Sequence, residues 1–376
     1  MRILLLTSHL EPSDPAGERW AQLSGSVRDQ GLSLVLVAVQ AGRAFDQGAL
    51  REAQALHAGQ AFDLVISSGP PISAHVTAQA FSRAAQISWV ADWTEPFALE
   101  SPKLTAWLNR RLEAKLVRAA DRVLVSSEAL ARKYRALRGE DNESLLVVRN
   151  GFDRNELRTS RNRIKRDRLR IVCSQASNFD AVPFLETLNA RVGLSESLEV
   201  VFAKASAQLA RLVREFELES CVHCLDASDT EAAALEVSAD VLLTFGLNSA
   251  YRSPSDLARV LARQRPILHV FESALDPSFE VFEGTPHLRS ENNRFALTAA
   301  LEAALQSDWV AASEGSSVFS PEQYCWDAIG HSLVGFVCVA GSADRARSGS
   351  VGADLTGSSA VASEVRQAVS NVTAKI

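Results

Sequence analysis

The sequence has no apolar run approaching the roughly 18 residues that cross a bilayer. Its longest, Leu32 to Val39 and Ser332 to Ala340, are of strand or helix length. It also lacks an excess of positive charge, since 39 Lys and Arg against 45 Asp and Glu leave a net charge of −6. No overall cationic field therefore draws the chain to nucleic acid, no nucleic-acid partner is expected, and any affinity for phosphate or membrane has to be local. Cysteine is scarce: five residues (Cys173, Cys221, Cys224, Cys325, Cys338) in a chain of 376. An odd, sparse set excludes a disulfide-stapled module and points to the reduced thiols of a cytoplasmic protein. The opening MRILLLTSHLEPSD has one basic residue, then a short apolar run and acids. It lacks the small-residue cleavage pattern of a signal peptide and reads as a buried first strand. There is no P-loop, no Ser-His-Asp elbow and no second Cys-x-x-Cys, and Gly151 stands alone, so NTPase, hydrolase and dinucleotide dehydrogenase chemistry lack their defining residues. No internal repeat is evident.

What is present suits a sizeable core: 47% of residues are hydrophobic and 22% charged. The length allows two domains of roughly 100 to 200 residues. Short Val/Ile/Leu runs lie at Ile3 to Thr7, Leu34 to Val39, Leu64 to Ser67, Trp89 to Ala91, Val123 to Val125 and Leu145 to Val148. Helical patterns separate them at Gly17 to Gln30, Ser73 to Ala85, Lys103 to Ala120 and Glu128 to Leu137. Continuous apolar strands alternating with helices predict a parallel sheet covered on both faces, a doubly wound α/β domain. The same grammar restarts with strands at Leu169 to Cys173, Leu198 to Ala203, Val241 to Phe245 and Pro266 to Val270. Helices are expected there at Val182 to Ala190, Gln208 to Phe216, Thr230 to Val237 and Ser255 to Ala262. The expected organisation is a first domain over 1–155, a basic linker over 156–168, a second domain over 169–318 and a helix over 319–340. A Ser/Ala/Gly-rich tail over 341–376 is too poor in apolar residues to order itself, although Val361, Val365, Val369 and Val372 fall near helical spacing.

Three stretches of the first domain resemble retaining glycosyltransferases of family 4. The first is Pro15-Ala16-Gly17-Glu18-Arg19-Trp20, ending at Gln30-Gly31 after a helix. The second runs Asp63-Leu64-Val65-Ile66-Ser67-Ser68-Gly69-Pro70-Pro71-Ile72-Ser73-Ala74-His75 and then Trp89-Val90-Ala91-Asp92-Trp93-Thr94-Glu95-Pro96-Phe97, like the family's "SSPP…H…WVADFRDPW" block. The third is Ala119-Ala120-Asp121-Arg122-Val123-Leu124-Val125-Ser126-Ser127, leading to Arg149-Asn150-Gly151-Phe152-Asp153. More weakly, Ser238-Ala239-Asp240-Val241 and Ser253-Pro254-Ser255-Asp256-Leu257-Ala258-Arg259 resemble the family's second half. The resemblance covers about residues 1 to 335. It implies the GT-B fold, two Rossmann-like domains facing a central cleft. It also implies a nucleotide-diphosphate sugar donor, a carbohydrate, lipid-linked or small-molecule acceptor, and no metal or cofactor. Donor contacts carried over by position are Gly17, Arg19, Ser253, Ser255, Asp256, Leu257 and Arg259. Two stretches depart from the pattern. Asp256 stands where the family has Lys and Arg259 where it has Glu, an inverted pair, and Thr94-Glu95 replaces Arg-Asp.

The residues themselves support several chemistries. Gly17, expected in the turn from the first strand into the first helix, suits an anion, though a lone Gly there is also an ordinary structural residue. Arg19 lies within reach of a phosphate or on a solvated helix face. Pro70-Pro71 closes a parallel strand at its carboxyl end, where open α/β sheets place ligands, with the Ser68 hydroxyl beside it. His75 has the pKa to orient or deprotonate an acceptor hydroxyl, or it is a satisfied core histidine. Glu95, beside the aromatic platform Trp93, is the preferred acceptor base, while Asp92 contacts acceptor or caps the following loop. Over 103–118, Leu104, Trp107, Leu108, Leu112 and Leu116 alternate with Lys and Arg, which suits either peripheral contact with an anionic membrane or a helix seated on its own core. Cys221-Val222-His223-Cys224 lacks a fourth ligand for zinc. The leading expectation is a sugar-nucleotide-dependent retaining glycosyltransferase. A non-catalytic homologue that binds sugar or a partner stays open because of the inverted pair, as does an epimerase on the same fold.

Overall fold

The computed structural model describes residues 1–8, 15–41, 45–97, 106–139, 143–157, 166–174, 179–247, 249–251, 257–282, 285, 287–306, 309 and 321–347. The chain divides into two compact units. The first comprises Met1–Ser126, Leu130–Val148 and the chain from Gly330 onward, and the second Ser127–Ala129 and Arg149–Ile329.

In the first unit, strands β1 (Arg2–Thr7), β2 (Ser33–Ala38), β3 (Leu64–Gly69), β4 (Ser88–Trp93), β5 (Arg122–Val125) and β6 (Leu145–Val147) form one six-stranded sheet in the order β2-β1-β3-β4-β5-β6. Every pairing is parallel. β3 and β4 are buried at every position, as a sheet covered on both faces requires. Helices α1 (Pro15–Asp29), α2 (Gln47–Gly59), α3 (Ile72–Ala85), α4 (Ala106–Ala119) and α5 (Glu128–Arg138) provide the crossovers. The reversal of strand order falls between β1 and β3, so the ligand-accepting end of this sheet lies at Thr7 and Gly69.

The second unit repeats the scheme with β7 (Leu169–Cys173), β8 (Leu198–Phe202), β9 (Val222–Cys224), β10 (Val241–Phe245), β11 (Ile267–Phe271) and β12 (Leu288–Glu291). Its order, β12-β11-β10-β7-β8-β9, is the 3-2-1-4-5-6 arrangement of dinucleotide-binding sheets read from the other edge. Helices α6 (Val182–Asn189), α7 (Val192–Ser197), α8 (Ala207–Glu215), α9 (Asp229–Ser238), α10 (Leu257–Ala262), α11 (Phe279–Phe282) and α12 (Arg294–Ala304) link the strands. Polar caps fix several starts. Ser228 and Glu231 close a reciprocal box at α9, and Ser206 and Asn293 accept from the first turns of α8 and α12. The core gathers Phe184, Leu185, Phe202, Leu243 and Leu268 under one face of the sheet.

Helix α13 (Trp326–Arg347) closes the described chain. From Gly330 onward it belongs to the first unit, where Gly330 lies so close to Ser26 of α1 that a Cβ would land on the serine hydroxyl. Two expected boundaries move. The second unit begins at Arg149, ahead of the expected linker, because Asn150-Gly151-Phe152 packs on the 324–326 segment. α13 also runs past 340 to Arg347, where alanine and arginine are good helix formers. The expected tail from 348, and most of the basic linker (158–165), lie outside the described residues.

Candidate functional site

The carboxyl end of β3 and β4 holds most of the residues picked out in the first unit, and it holds them inward. Asp92, wholly buried on β4, accepts hydrogen bonds from Arg19 Nη2 at 3.0 Å, Trp20 Nε1 at 3.0 Å and Ser68 Oγ at 2.8 Å. Arg19 is 1% exposed, and its Nη1 donates to the Val148 carbonyl at 2.5 Å. A buried ion pair is retained only when further hydrogen bonds satisfy both heads, and these contacts supply most of them. Arg19 is therefore a strut between α1, β4 and the chain after β6, not the phosphate cation expected. Asp92 anchors that strut in place of capping the next loop, and Ser68 spends its hydroxyl on Asp92. Gly17 lies inside the first turns of α1, which starts at Pro15, and not in the turn before the helix.

His75 lies just inside α3, fully buried, with Nδ1 2.8 Å from Ser67 Oγ. Trp89 Nε1 donates to that same oxygen at 2.8 Å. An indole can only donate, so the serine proton is available to Nδ1, and in that arrangement the ring's own proton sits on Nε2. Nε2 has no hydrogen-bond partner among the described residues and abuts Gly69, where a Cβ would come within 2.7 Å of it. Burial pushes the His75 pKa down to about 3. The neutral ring stacks on Trp93 at 3.8 Å between centroids, and Trp93 meets Tyr134 edge-on at 5.7 Å. Trp93 is consequently a core residue and not the surface platform expected for an acceptor. Glu95 is buried just beyond β4, and Pro70 is half-buried where β3 ends.

In the second unit the strand order reverses between β7 and β10. At their carboxyl ends lie Ser174 and Gly246, with Phe179 stacked on Phe245 at 3.5 Å. Gly246 admits no side chain, because a Cβ would land on the Asp276 carboxylate. Asp276 Oδ1 accepts from Ser278 N at 2.8 Å, and Oδ2 sits 3.4 Å from His269 Nε2. The far side of His269 meets Thr244 Oγ1 at 2.9 Å. Thr244, His269 and Asp276 thus lie side by side and buried where the loop after β11 meets the end of β10, and His269 Nε2 and Asp276 Oδ2 make no hydrogen bond with each other. None of these three residues is expected from the sequence motifs, although a glycine directly ending an apolar strand and a histidine inside another are visible signals.

Of the donor residues expected, Ser253, Ser255 and Asp256 lie outside the described residues. Leu257 is core, packed with Leu242, Val260 and Ile267. Arg259, part-exposed on α10, points Nη2 at Glu236 Oε1 of α9, 3.5 Å away. Arg263 donates Nε to the other oxygen of Glu236 at 2.7 Å and also meets Glu156 at 3.3 Å. The arginine introduced by the inverted pair thus has its own buried counter-charge. Gly151 is explained by packing, since a Cβ would lie 2.8 Å from both Ile329 Cδ1 and the Tyr324 carbonyl. His223 projects from edge strand β9, and among the described residues no group of three His, Cys, Asp or Glu could hold a metal.

Residues 2–151 match the family model of the glycosyl transferase 4-like domain. No curated protein matches the chain. Among solved structures, Anabaena HepE in complex with UDP is 14% identical, with 90% of this chain and 100% of that one covered and a TM-score of 0.68. A glycosyltransferase from Rickettsia africae is 8% identical, over 90% and 98% of the two chains, also at 0.68. The UDP-GlcNAc 2-epimerase of Methanocaldococcus jannaschii is 10% identical, over 90% and 100%, at 0.55. At these identities the likeness establishes the fold.

Proposed function

From a chain with the GT-B fold and a glycosyl transferase 4-like domain at residues 2–151, we propose a glycosyltransferase that moves a sugar from a nucleotide-diphosphate donor to an acceptor hydroxyl with retention. The observation that carries the reading is the pairing of that first domain with a second parallel sheet in dinucleotide-binding order. HepE, with the same fold, was crystallised with UDP. In this reading the donor lies at the β7 and β10 ends of the second unit, near Ser174 and Gly246, where the strand order reverses. Backbone N–H groups and the partly exposed Arg259 stabilise the leaving diphosphate, and no resident metal is assigned to that step. The acceptor, a glycan, lipid-linked sugar or small molecule, is met at the β3 and β4 ends of the first unit. Glu95 is the preferred orienting base there, because burial opposes protonation of His75 and seals its ring from an acceptor. Asp92, Ser68 and Trp93 support that end from beneath, and Pro70 borders it.

The test is a thermal-shift and calorimetry panel of UDP-, GDP-, ADP- and TDP-sugars with their diphosphates, since a ligand bound to the native state raises apparent stability. One nucleotide class is expected to bind, with sugar transfer or slow donor hydrolysis detectable. Absence of binding by every nucleotide would overturn the proposal.

A further inference from the structure

Helix α4 keeps one side in the core and turns the other outward. Its buried residues are Ala106, Glu113, Leu116 and Val117, which cluster on one side at about 100° per residue. Opposite them Trp107 is 55% and Leu108 42% exposed, although large apolar side chains ordinarily seek the core. Arg110, Arg111, Lys115 and Arg118 are exposed around them. The helix has a single acid, Glu113, which is buried and accepts from Lys133 Nζ at 2.6 Å. The outward face therefore carries Arg110, Arg111 and Lys115, with Arg118 turned to donate Nε to the Leu137 carbonyl at 2.9 Å, and no carboxylate of its own helix, in a chain of net charge −6. The Arg111 guanidinium lies 4.0 Å over the Trp107 ring, holding the indole against the helix with a cation on its face.

We propose that this face of α4 docks on an anionic phospholipid surface. Trp107 and Leu108 would enter the boundary between headgroups and acyl chains, and Arg110, Arg111 and Lys115 would meet lipid phosphates. Charge complementarity selects a polyanion. The two apolar side chains select lipid over nucleic acid, because Leu108 offers nothing to a base and one face of Trp107 is already covered by Arg111. Among the described residues no helix is long and apolar enough to cross a membrane, so the contact is peripheral. With few anchors it is weak, reversible and sensitive to salt. This inference does not depend on the catalytic reading.

The experiment is co-sedimentation of the full chain with phosphatidylglycerol-containing vesicles and with pure phosphatidylcholine vesicles, at low and high salt. Brominated lipids in the same vesicles report tryptophan insertion through quenching. Binding to the anionic vesicles, weakened by salt, together with quenching is expected. Each cation at the surface contributes about five-fold, so the triple variant Arg110→Gln, Arg111→Gln, Lys115→Gln should bind about a hundred-fold more weakly. Trp107→Ala should weaken binding and abolish most of the quenching. All four side chains are solvent-facing, so far-UV circular dichroism should be unchanged. Equal binding by wild type and triple variant, or no binding to anionic vesicles, would overturn the proposal. So would oligonucleotide binding lost in the triple variant while Trp107→Ala leaves vesicle binding intact.

Discussion

Neutralising Glu236 should unsettle the second unit far more than a single surface charge would. Its carboxylate is fully buried on α9, with Arg263 Nε 2.7 Å from one oxygen and Arg259 Nη2 3.5 Å from the other. The second of these distances is electrostatic only, since Oε1 accepts no hydrogen bond. In Glu236→Gln the shape is kept, but Arg263, itself only 4% exposed at its side chain, loses its strongest partner. Breaking a buried pair from one side costs about 3 to 5 kcal/mol, because the remaining charge stays desolvated. Arg263 still has Glu156 at 3.3 Å, with the Glu156 side chain 32% exposed, so the lower end, about 3 kcal/mol, applies. For a unit of this size that lowers the midpoint by about 6 to 12 °C. Removing both partners in Glu236→Gln, Arg263→Gln should cost about 2 kcal/mol less than the sum of the single changes, the signature of a coupled pair. Urea titrations of the four proteins, followed by far-UV circular dichroism, measure both quantities. A loss below about 1 kcal/mol for the single change, or strict additivity, would show that the carboxylate is not the counter-charge described.

Other expectations follow from the same geometry. His75 has a folded pKa near 3 against an ordinary 6.5, so both states hold it neutral at pH 7 and the unfolded chain alone takes up the proton below 6.5. Its contribution to stability is thus lost as pH falls, by about 2 kcal/mol between pH 6.5 and pH 5, and His75→Gln should remove that part of the slope in urea midpoints measured across this range. Gly151→Ala forces a methyl to within 2.8 Å of Ile329 and the Tyr324 carbonyl. It should destabilise the fold by about 1 to 3 kcal/mol in denaturant titrations. Gly69→Ala pushes on His75 Nε2 and should disturb the His75 and Trp93 stack, visible as a changed near-UV circular dichroism band; an unchanged band would show the ring has room to move. Arg259→Ala should weaken nucleotide binding by about 1.5 to 3 kcal/mol in calorimetry if the arginine meets a diphosphate, and leave it untouched if Glu236 is its sole partner.

The two-unit plan was legible because β1, β3, β7 and β10 are short, apolar and buried, and such runs stand out in any α/β sequence. Strands β9 and β12 leave little trace in the sequence because edge strands bury little, and Val222–Cys224 and Leu288–Glu291 carry no apolar run. Helix α2 is hidden in the sequence for a similar reason, as only Ala49 and Ala53 are buried and no apolar stripe forms. At the site, the motif order showed which residues gather at the ends of β3 and β4. It could not show which way they point. Arg19 and Asp92 read as free charges in the sequence, and only packing revealed that each neutralises the other. The inverted pair misled similarly, because Glu236 lies more than twenty residues upstream of Arg259 and no local pattern connects them.

The placement of α13 has a consequence for biosynthesis. A ribosome releases the sheet β1 to β6 early, yet the surface of α1 around Ser26 stays uncovered until Gly330 and the rest of that helix have emerged. The second unit, contiguous apart from a three-residue piece, can settle while its predecessor waits. The part translated first is thus the part completed last. Stalled or shortened nascent chains would present an open flank on α1, the kind of surface that chaperones capture.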